Sequence, residues 1–229
     1  MNKPKLFEII FESLAFHPPF DCLLFKYFEL FRSFEPHAFV FQGETYEYFY
    51  HKYNHTWRNE RAVEIPIVKR ILDQYRGKNI LEVGNVFSHY FPICHDVLDK
   101  YEKGESVINQ DAAEFSSLKK YDLVVSVSTI EHIGDDENPK QPQKSLAALE
   151  NLKTLVSPQG KIVITFPLGY NQELDKMFRQ ECLGLTKSFC LKRVSPFNKW
   201  QEVECQDASL VKYNQPYRAG NAIVLGIIG

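Results

Sequence analysis

Four runs of the chain place residues able to do chemistry at the end of an apolar segment: "NILEVGNVFSHY", "HDVLDKY", "SVINQDAAEF" and "YDLVVSVSTIEHIGDDE". Their carboxylates are Glu82, Asp99, Asp111 and Glu131, and His132 follows Glu131 directly. A carboxylate offers two acceptor oxygens, enough to hold a vicinal diol or an amino group. Imidazole titrates near neutral pH and can take a proton from a reacting oxygen nucleophile, which makes His132 the candidate general base. The same imidazole could instead orient its loop or pack beneath a ligand, and its position alone leaves both roles open.

A second concentration lies upstream. "YEYFYHKYNHTWRNER" gathers Tyr46, Tyr48, Tyr50, His51, His55, Trp57, Arg58 and Arg61. Aromatic faces can line a sugar or other ring, and an arginine can clamp a phosphate or carboxylate. Tyr50, His51, Trp57 and Arg58 are the candidate substrate contacts from this stretch, with Tyr170 added from beyond the fifth expected core strand. The competing reading is a packed hairpin whose tyrosine hydroxyls stay in water.

For those carboxylates to converge, each must leave the same edge of one sheet. From Lys78 the pattern supports this: "NILEVG", "HDVLDKY", "SVIN", "YDLVVSVS" and "GKIVITFP" read as five strands, with the helix "QKSLAALENLKTLV" and the turn "SPQG" before the fifth. "KSFCLKRVS", "WQEVEC" and "NAIVLGII" read as strands that close the sheet antiparallel. The expected fold is α/β, a doubly wound, mostly parallel sheet with a ligand crevice at the carboxyl ends of its strands. Ahead of it, "TWRNERAVEIPIVKRILDQYRGKN" reads as a helix with Thr56 or Asn59 as its cap, Gly77 as its stop and Pro66 perturbing its early turns. "HAFVFQGETYEYFYHKY" reads as a β-hairpin, and residues 1–36 as two helices. In the second of these, Phe20, Leu23, Leu24, Tyr27, Phe28 and Phe31 form one apolar stripe, suited to packing on the main domain or joining two copies of the chain. The division expected is an extension over residues 1–60 and a Rossmann-like domain over residues 61–229.

"ILEVG", the acids that follow, and "LVSPQGKIVITFP" resemble the class I S-adenosylmethionine-dependent methyltransferases over roughly residues 78–170. The resemblance implies S-adenosylmethionine as cofactor, Glu82 and Gly84 near its methionine part, Asp99 on the ribose hydroxyls, and Asp111 with the Ala112 N–H on the adenine edge. It also implies Ser128 as a cofactor contact and places the Glu131-His132 pair beside the crevice. One departure stands out: where the family repeats glycine, this chain has Glu82-Val83-Gly84-Asn85-Val86-Phe87-Ser88. A β-branched Val86 cannot lie bare against a ligand as glycine does, so the loop is expected to take another path, with Asn85 or Ser88 making polar contacts.

Composition narrows the function further. With 27 Lys and Arg against 29 Asp and Glu, nothing recruits nucleic acid globally, and a small-molecule substrate is expected. No apolar run reaches the ~18 residues of a membrane span. The five cysteines, Cys22, Cys94, Cys182, Cys190 and Cys205, form no CxxC pair, which predicts reduced thiols and a cytoplasmic protein without a zinc site. Cys94, His95 and His89 lack a fourth ligand, and "GDDEN" reads as a solvated acidic loop. The expected function is methyl transfer to a small molecule, with a sugar or glycan precursor as its class. A non-catalytic module of the same fold, serving as a protein-interaction scaffold, is the alternative. A nicotinamide dehydrogenase fits less well, because the loop lacks G-x-G-x-x-G.

Overall fold

A computed structural model describes residues 37–229 together with Phe25, Lys26 and Leu30. The two expected N-terminal helices, and the stripe from Phe20 to Phe31 with the self-association assigned to it, fall outside the described residues. Of the three residues described there, Phe25 has its ring 5.9 Å from that of Trp57.

The chain first makes a hairpin, β1 (Ala38–Phe41) and β2 (Glu44–Glu47). Gln42 and Gly43 both have positive φ, 51° and 75°, the two-residue turn whose twist matches paired strands. Helix α1 (Arg61–Gln74) follows a short 3-10 segment. Asn59 caps it from two residues ahead, its Oδ1 accepting from the Arg61 N–H at 3.1 Å. Pro66 cannot donate to the Ala62 carbonyl, and the Phe49 N–H takes that acceptor instead at 2.9 Å. The proline thus ties the hairpin to the helix without ending the helix.

The main sheet has the order β5-β4-β3-β6-β7-β10-β8-β9. Strands β3 (Ile80–Val83), β4 (Asp96–Leu98), β5 (Val107–Ile108), β6 (Tyr121–Val127) and β7 (Val156–Pro167) run parallel. β10 (Ala222–Ile228) inserts antiparallel between β7 and β8 (Lys187–Arg193), and β9 (Trp200–Val203) pairs antiparallel at the edge. Alternate residues of β6 and β10 face opposite layers. Val124 and Val224 pack with Leu149 and Leu152 of α2 (Lys144–Leu155), while Leu123, Val125, Ile223 and Leu225 pack with Val63, Ile67 and Val68 of α1. Cover on both faces is why these strands read as nearly continuous apolar runs.

Three local expectations are corrected. "SPQG" is not a separate turn: Val156 already bridges Tyr121, and after a bulge the strand resumes with Lys161 opposite Leu123. A helix the sequence did not announce, α3 (Gln172–Arg179), follows β7, with the Asn171 side chain accepting from the Leu174 N–H. Two cysteines are paired rather than reduced: antiparallel β8 and β9 set Cys190 opposite Val203, which brings it to Cys205 at the start of α4 (Cys205–Ala208), and the two form a disulfide. Cys94 and Cys182 are free and exposed. Cysteine usage therefore no longer argues for a reducing compartment. Among the described residues no helix is long and apolar enough to cross a membrane.

Candidate functional site

The sheet order reverses between β3 and β6, so the loops leaving these strands diverge and open a crevice at their carboxyl ends. Gly84 follows β3 with φ 85°, and a Cβ there would lie 2.1 Å from the Thr129 Oγ1 of the β6 loop. Glycine is required by both backbone angle and space.

Glu82 holds the following turn together. It is fully buried; its Oε1 accepts the Val86 and Phe87 N–H groups, both at 2.8 Å, and its Oε2 meets His95 Nε2 at 2.7 Å. Asn85 donates its N–H to Asp99 Oδ2 at 3.0 Å and its side-chain amide to Glu102 Oε1 at 2.6 Å. Ser88 Oγ donates to Asn85 Oδ1. Where bare glycine backbone would face a ligand, this loop has turned its donors onto carboxylates.

A cavity of about 420 Å³ opens beside this loop, lined by Gly84, Asn85, Asp99, Asp111, Ala112 and His132 among others. Asp99 Oδ1 accepts from the N–H groups of Tyr101 and Glu102 at 2.8 and 2.7 Å. Asp111 pairs with Lys100 at 2.9 Å and Lys144 at 2.7 Å, and both lysines also hold Glu137. Burial opposes ionisation of Asp111, but the hydrogen bonds from Lys144 and Lys100 outweigh it and lower its pKa to about 2. Hydrogen bonds from Lys100 and Lys144 likewise hold the Glu137 carboxyl below its usual range.

A second cavity, about 360 Å³, adjoins the first through His132, which lines both. His132 Nδ1 lies 2.7 Å from Asp136 Oδ2, and the Tyr170 hydroxyl donates to both oxygens of Asp136 at 3.0 and 3.1 Å. A carboxylate only accepts, so in the neutral imidazole the proton sits on Nδ1 and the acceptor nitrogen is Nε2, 3.7 Å from Glu131 Oε1. Glu131 is buried, and its Oε2 has no hydrogen-bond partner. Burial, reinforced by the charges of Glu64 and Glu60, pushes its pKa well above the usual range. Glu64 is raised for the same first reason, burial, although Arg61 lies 3.5 Å away and Ser128 Oγ donates to it at 2.6 Å. The Arg61 guanidinium is further occupied by the Val127 and Ser128 carbonyls at 2.6 and 3.2 Å.

The expected residues divide accordingly. Gly84, Asn85, Asp99, Asp111, Ala112 and His132 line the first cavity, and Ser128, Tyr170 and His132 line the second. Glu82 is walled in by its own loop and reaches neither cavity, because its oxygens are taken by backbone donors and His95. Ser88 only buttresses Asn85. Tyr50, His51, Trp57 and Arg58 line neither cavity. Tyr50 stacks on Tyr48, His51 Nδ1 accepts the Tyr53 N–H at 3.0 Å, Trp57 and Arg58 are buried, and the Arg58 carbonyl accepts from Arg193. The "GDDEN" loop is not merely solvated, since Asp136 and Glu137 are bound into the two networks. Sequence reasoning also passed over Glu60 and Tyr213 of the second cavity. Tyr213 carried no signal at all, being brought in from the connection between β9 and β10. His89 and His95 turn to separate carboxylates, Glu102 and Glu82, and among the described residues no His, Cys, Asp and Glu cluster could hold a metal.

No protein-family model matches the chain, and no curated protein matches it. Solved structures similar to it include the N-methyltransferase NodS from Bradyrhizobium japonicum WM9 in complex with S-adenosyl-L-homocysteine. That likeness has 16% identity and a TM-score of 0.45 over 73% of this chain and 85% of that one. A SAM-dependent methyltransferase from Archaeoglobus fulgidus matches at 16% identity and TM-score 0.45, covering 76% and 96%. A TehB-like SAM-dependent methyltransferase from Corynebacterium glutamicum matches at 19% identity and TM-score 0.41, covering 69% and 84%. At these identities and TM-scores the site is read from its own geometry.

Proposed function

We propose that the chain is a methyltransferase that binds S-adenosylmethionine in the first cavity and a small-molecule acceptor in the second. The observation that carries this reading is that the two cavities meet at His132, whose ring is oriented by Asp136 so that its Nε2 is left for a ligand. Bound S-adenosylmethionine supplies an already activated methyl group, which leaves the protein the tasks of alignment and proton removal.

The residues of the first cavity fit that cofactor better than a dinucleotide. A pyrophosphate needs free backbone N–H groups at the glycine loop. Here the N–H groups of Asn85, Val86 and Phe87 are already bound to Asp99 and Glu82. The wall is also rich in carboxylates, which repel phosphate and suit a ligand with a positively charged centre. Asp99 and Asn85 would hold the ribose side and Asp111 with Ala112 the adenine side, while Glu82 keeps the loop in shape. The sugar or glycan expectation loses its main support, because the hairpin residues that motivated it lie off the second cavity.

Calorimetric titration with S-adenosylhomocysteine tests the reading. Binding is expected; no detectable heat at millimolar ligand would overturn it and favour the scaffold alternative.

A further inference from the structure

We propose that the second cavity is built to receive a protonated amine, with Glu131 as its counter-carboxylate, so that the methyl acceptor is an amine rather than an alcohol. The inference rests on the methyltransferase reading for what the amine is for, though not for its binding.

The central observation is the Glu131 side chain, 1% exposed, lining the cavity with an Oε2 that no donor satisfies. A buried acceptor without a donor is costly in a folded protein, and an arriving ligand that carries donors removes that cost. Neither arginine of the cavity wall does so: Arg61 is spent on two carbonyls and on Glu64, and Arg218 leaves the Glu131 Oε2 without a hydrogen bond. Behind Glu131 stand Glu64, whose Oε2 likewise lacks a hydrogen bond, and Glu60, whose Oε2 accepts the Gly220 N–H at 2.8 Å.

Between an alcohol and an amine, the surroundings favour the amine. A hydroxyl brings one donor and no charge, whereas an ammonium brings up to three and makes a stronger, charge-assisted bond to a carboxylate. Tyr170 and Tyr213 meet edge to face at 5.0 Å on the same cavity, giving the aromatic walls on which a cation is stable. Burial favours the protonated Glu131 carboxyl, and an ammonium beside it favours the ionised form, the displaced proton passing to solvent. His132 Nε2, 3.7 Å from Glu131, then stands where it can accept the proton an ammonium must lose before its nitrogen has a lone pair.

The test uses matched probes, benzylamine with benzyl alcohol and glucosamine with glucose, titrated into the full chain labelled with 15N and followed by amide shifts. Expected are shifts at Ser128, Glu131 and Tyr213, with each amine binding about tenfold or more tightly than its alcohol. Glu131→Gln, which keeps the shape of the side chain, should abolish the preference while leaving S-adenosylhomocysteine affinity unchanged. Alcohols binding as well as amines, no amine shift at about 10 mM, or an unchanged preference in Glu131→Gln would each overturn the inference. S-adenosylhomocysteine binding without amine selectivity defeats this inference alone, whereas amine selectivity without S-adenosylhomocysteine binding defeats the methyltransferase reading alone.

Discussion

The two cavities share His132 and differ in how their carboxylates are used. Around the first, Glu82, Asp99 and Asp111 already have partners on both oxygens or in ion pairs: Glu82 and Asp99 through backbone N–H groups, Asp111 chiefly through lysines, with an acceptor site of Asp99 left over. Around the second, Glu131 and Glu64 each keep a buried oxygen without a hydrogen bond. A satisfied network is rigid and cheap to maintain, and here it shapes a cradle. An unsatisfied one is costly until something binds. The first region reads as preformed, the second as awaiting its ligand.

The largest effect should come where the two meet. If His132 is the base, His132→Ala lowers kcat about 10²- to 10⁴-fold, measured once an amine acceptor is in hand, with S-adenosylhomocysteine affinity changed only a few-fold. Normal turnover would remove His132 from the chemistry. Next comes the first cavity. Glu82→Ala strands two buried N–H groups and His95, so denaturant unfolding should report a loss of about 3 kcal/mol; a change below about 1 kcal/mol would mean the loop holds its shape without it. Asp99→Ala frees the Asn85, Tyr101 and Glu102 N–H groups. It is expected to weaken S-adenosylhomocysteine about tenfold, roughly 1.4 kcal/mol, and unchanged affinity would take Asp99 out of the cofactor site.

The smallest effects lie in pH dependence, where the two regions should have opposite signs. Asp111 has a depressed folded-state pKa, about 2, against about 3.9 unfolded, so its stabilisation is present above pH about 4 and is lost as pH falls towards about 2. Glu131 and Glu64 have raised folded-state values, so their contribution is complete below about pH 4.3 and declines as pH rises above it. Glu60, Arg61, Ser128, Thr165 and His132 are the charged or hydrogen-bonding groups facing these two carboxyls. Stability curves from pH 2 to 8 should therefore flatten at the acid end in Asp111→Asn and at the neutral end in Glu131→Gln. If both variants changed the same limb, the contrast between the cavities would fail.

Much of the framework was legible because it is local. β3, β6, β7 and β10 are each built around a mostly apolar run, Gly84 ends a strand in a turn needing positive φ, and Gln42-Gly43 is a hairpin turn in its own right. The Asn171 cap of α3 was equally local but was overlooked among polar neighbours. The hairpin aromatics were misjudged for another reason: Tyr48 is committed to the Trp200 backbone, 152 residues away, a partner no window of sequence reveals.

By itself, then, the sequence determined the kind of element each segment forms and which carboxylates end up at one edge of a sheet, since periodicity and turn chemistry act over a few residues. Only the tertiary structure decided what those carboxylates do. Whether a buried acid is spent on backbone donors, as Glu82 is, or left with an open oxygen, as Glu131 is, depends on groups brought from distant parts of the chain. Tyr213, the disulfide partner of Cys190, and the turn of Asp136 towards both His132 and Tyr170 were settled by the same long-range packing.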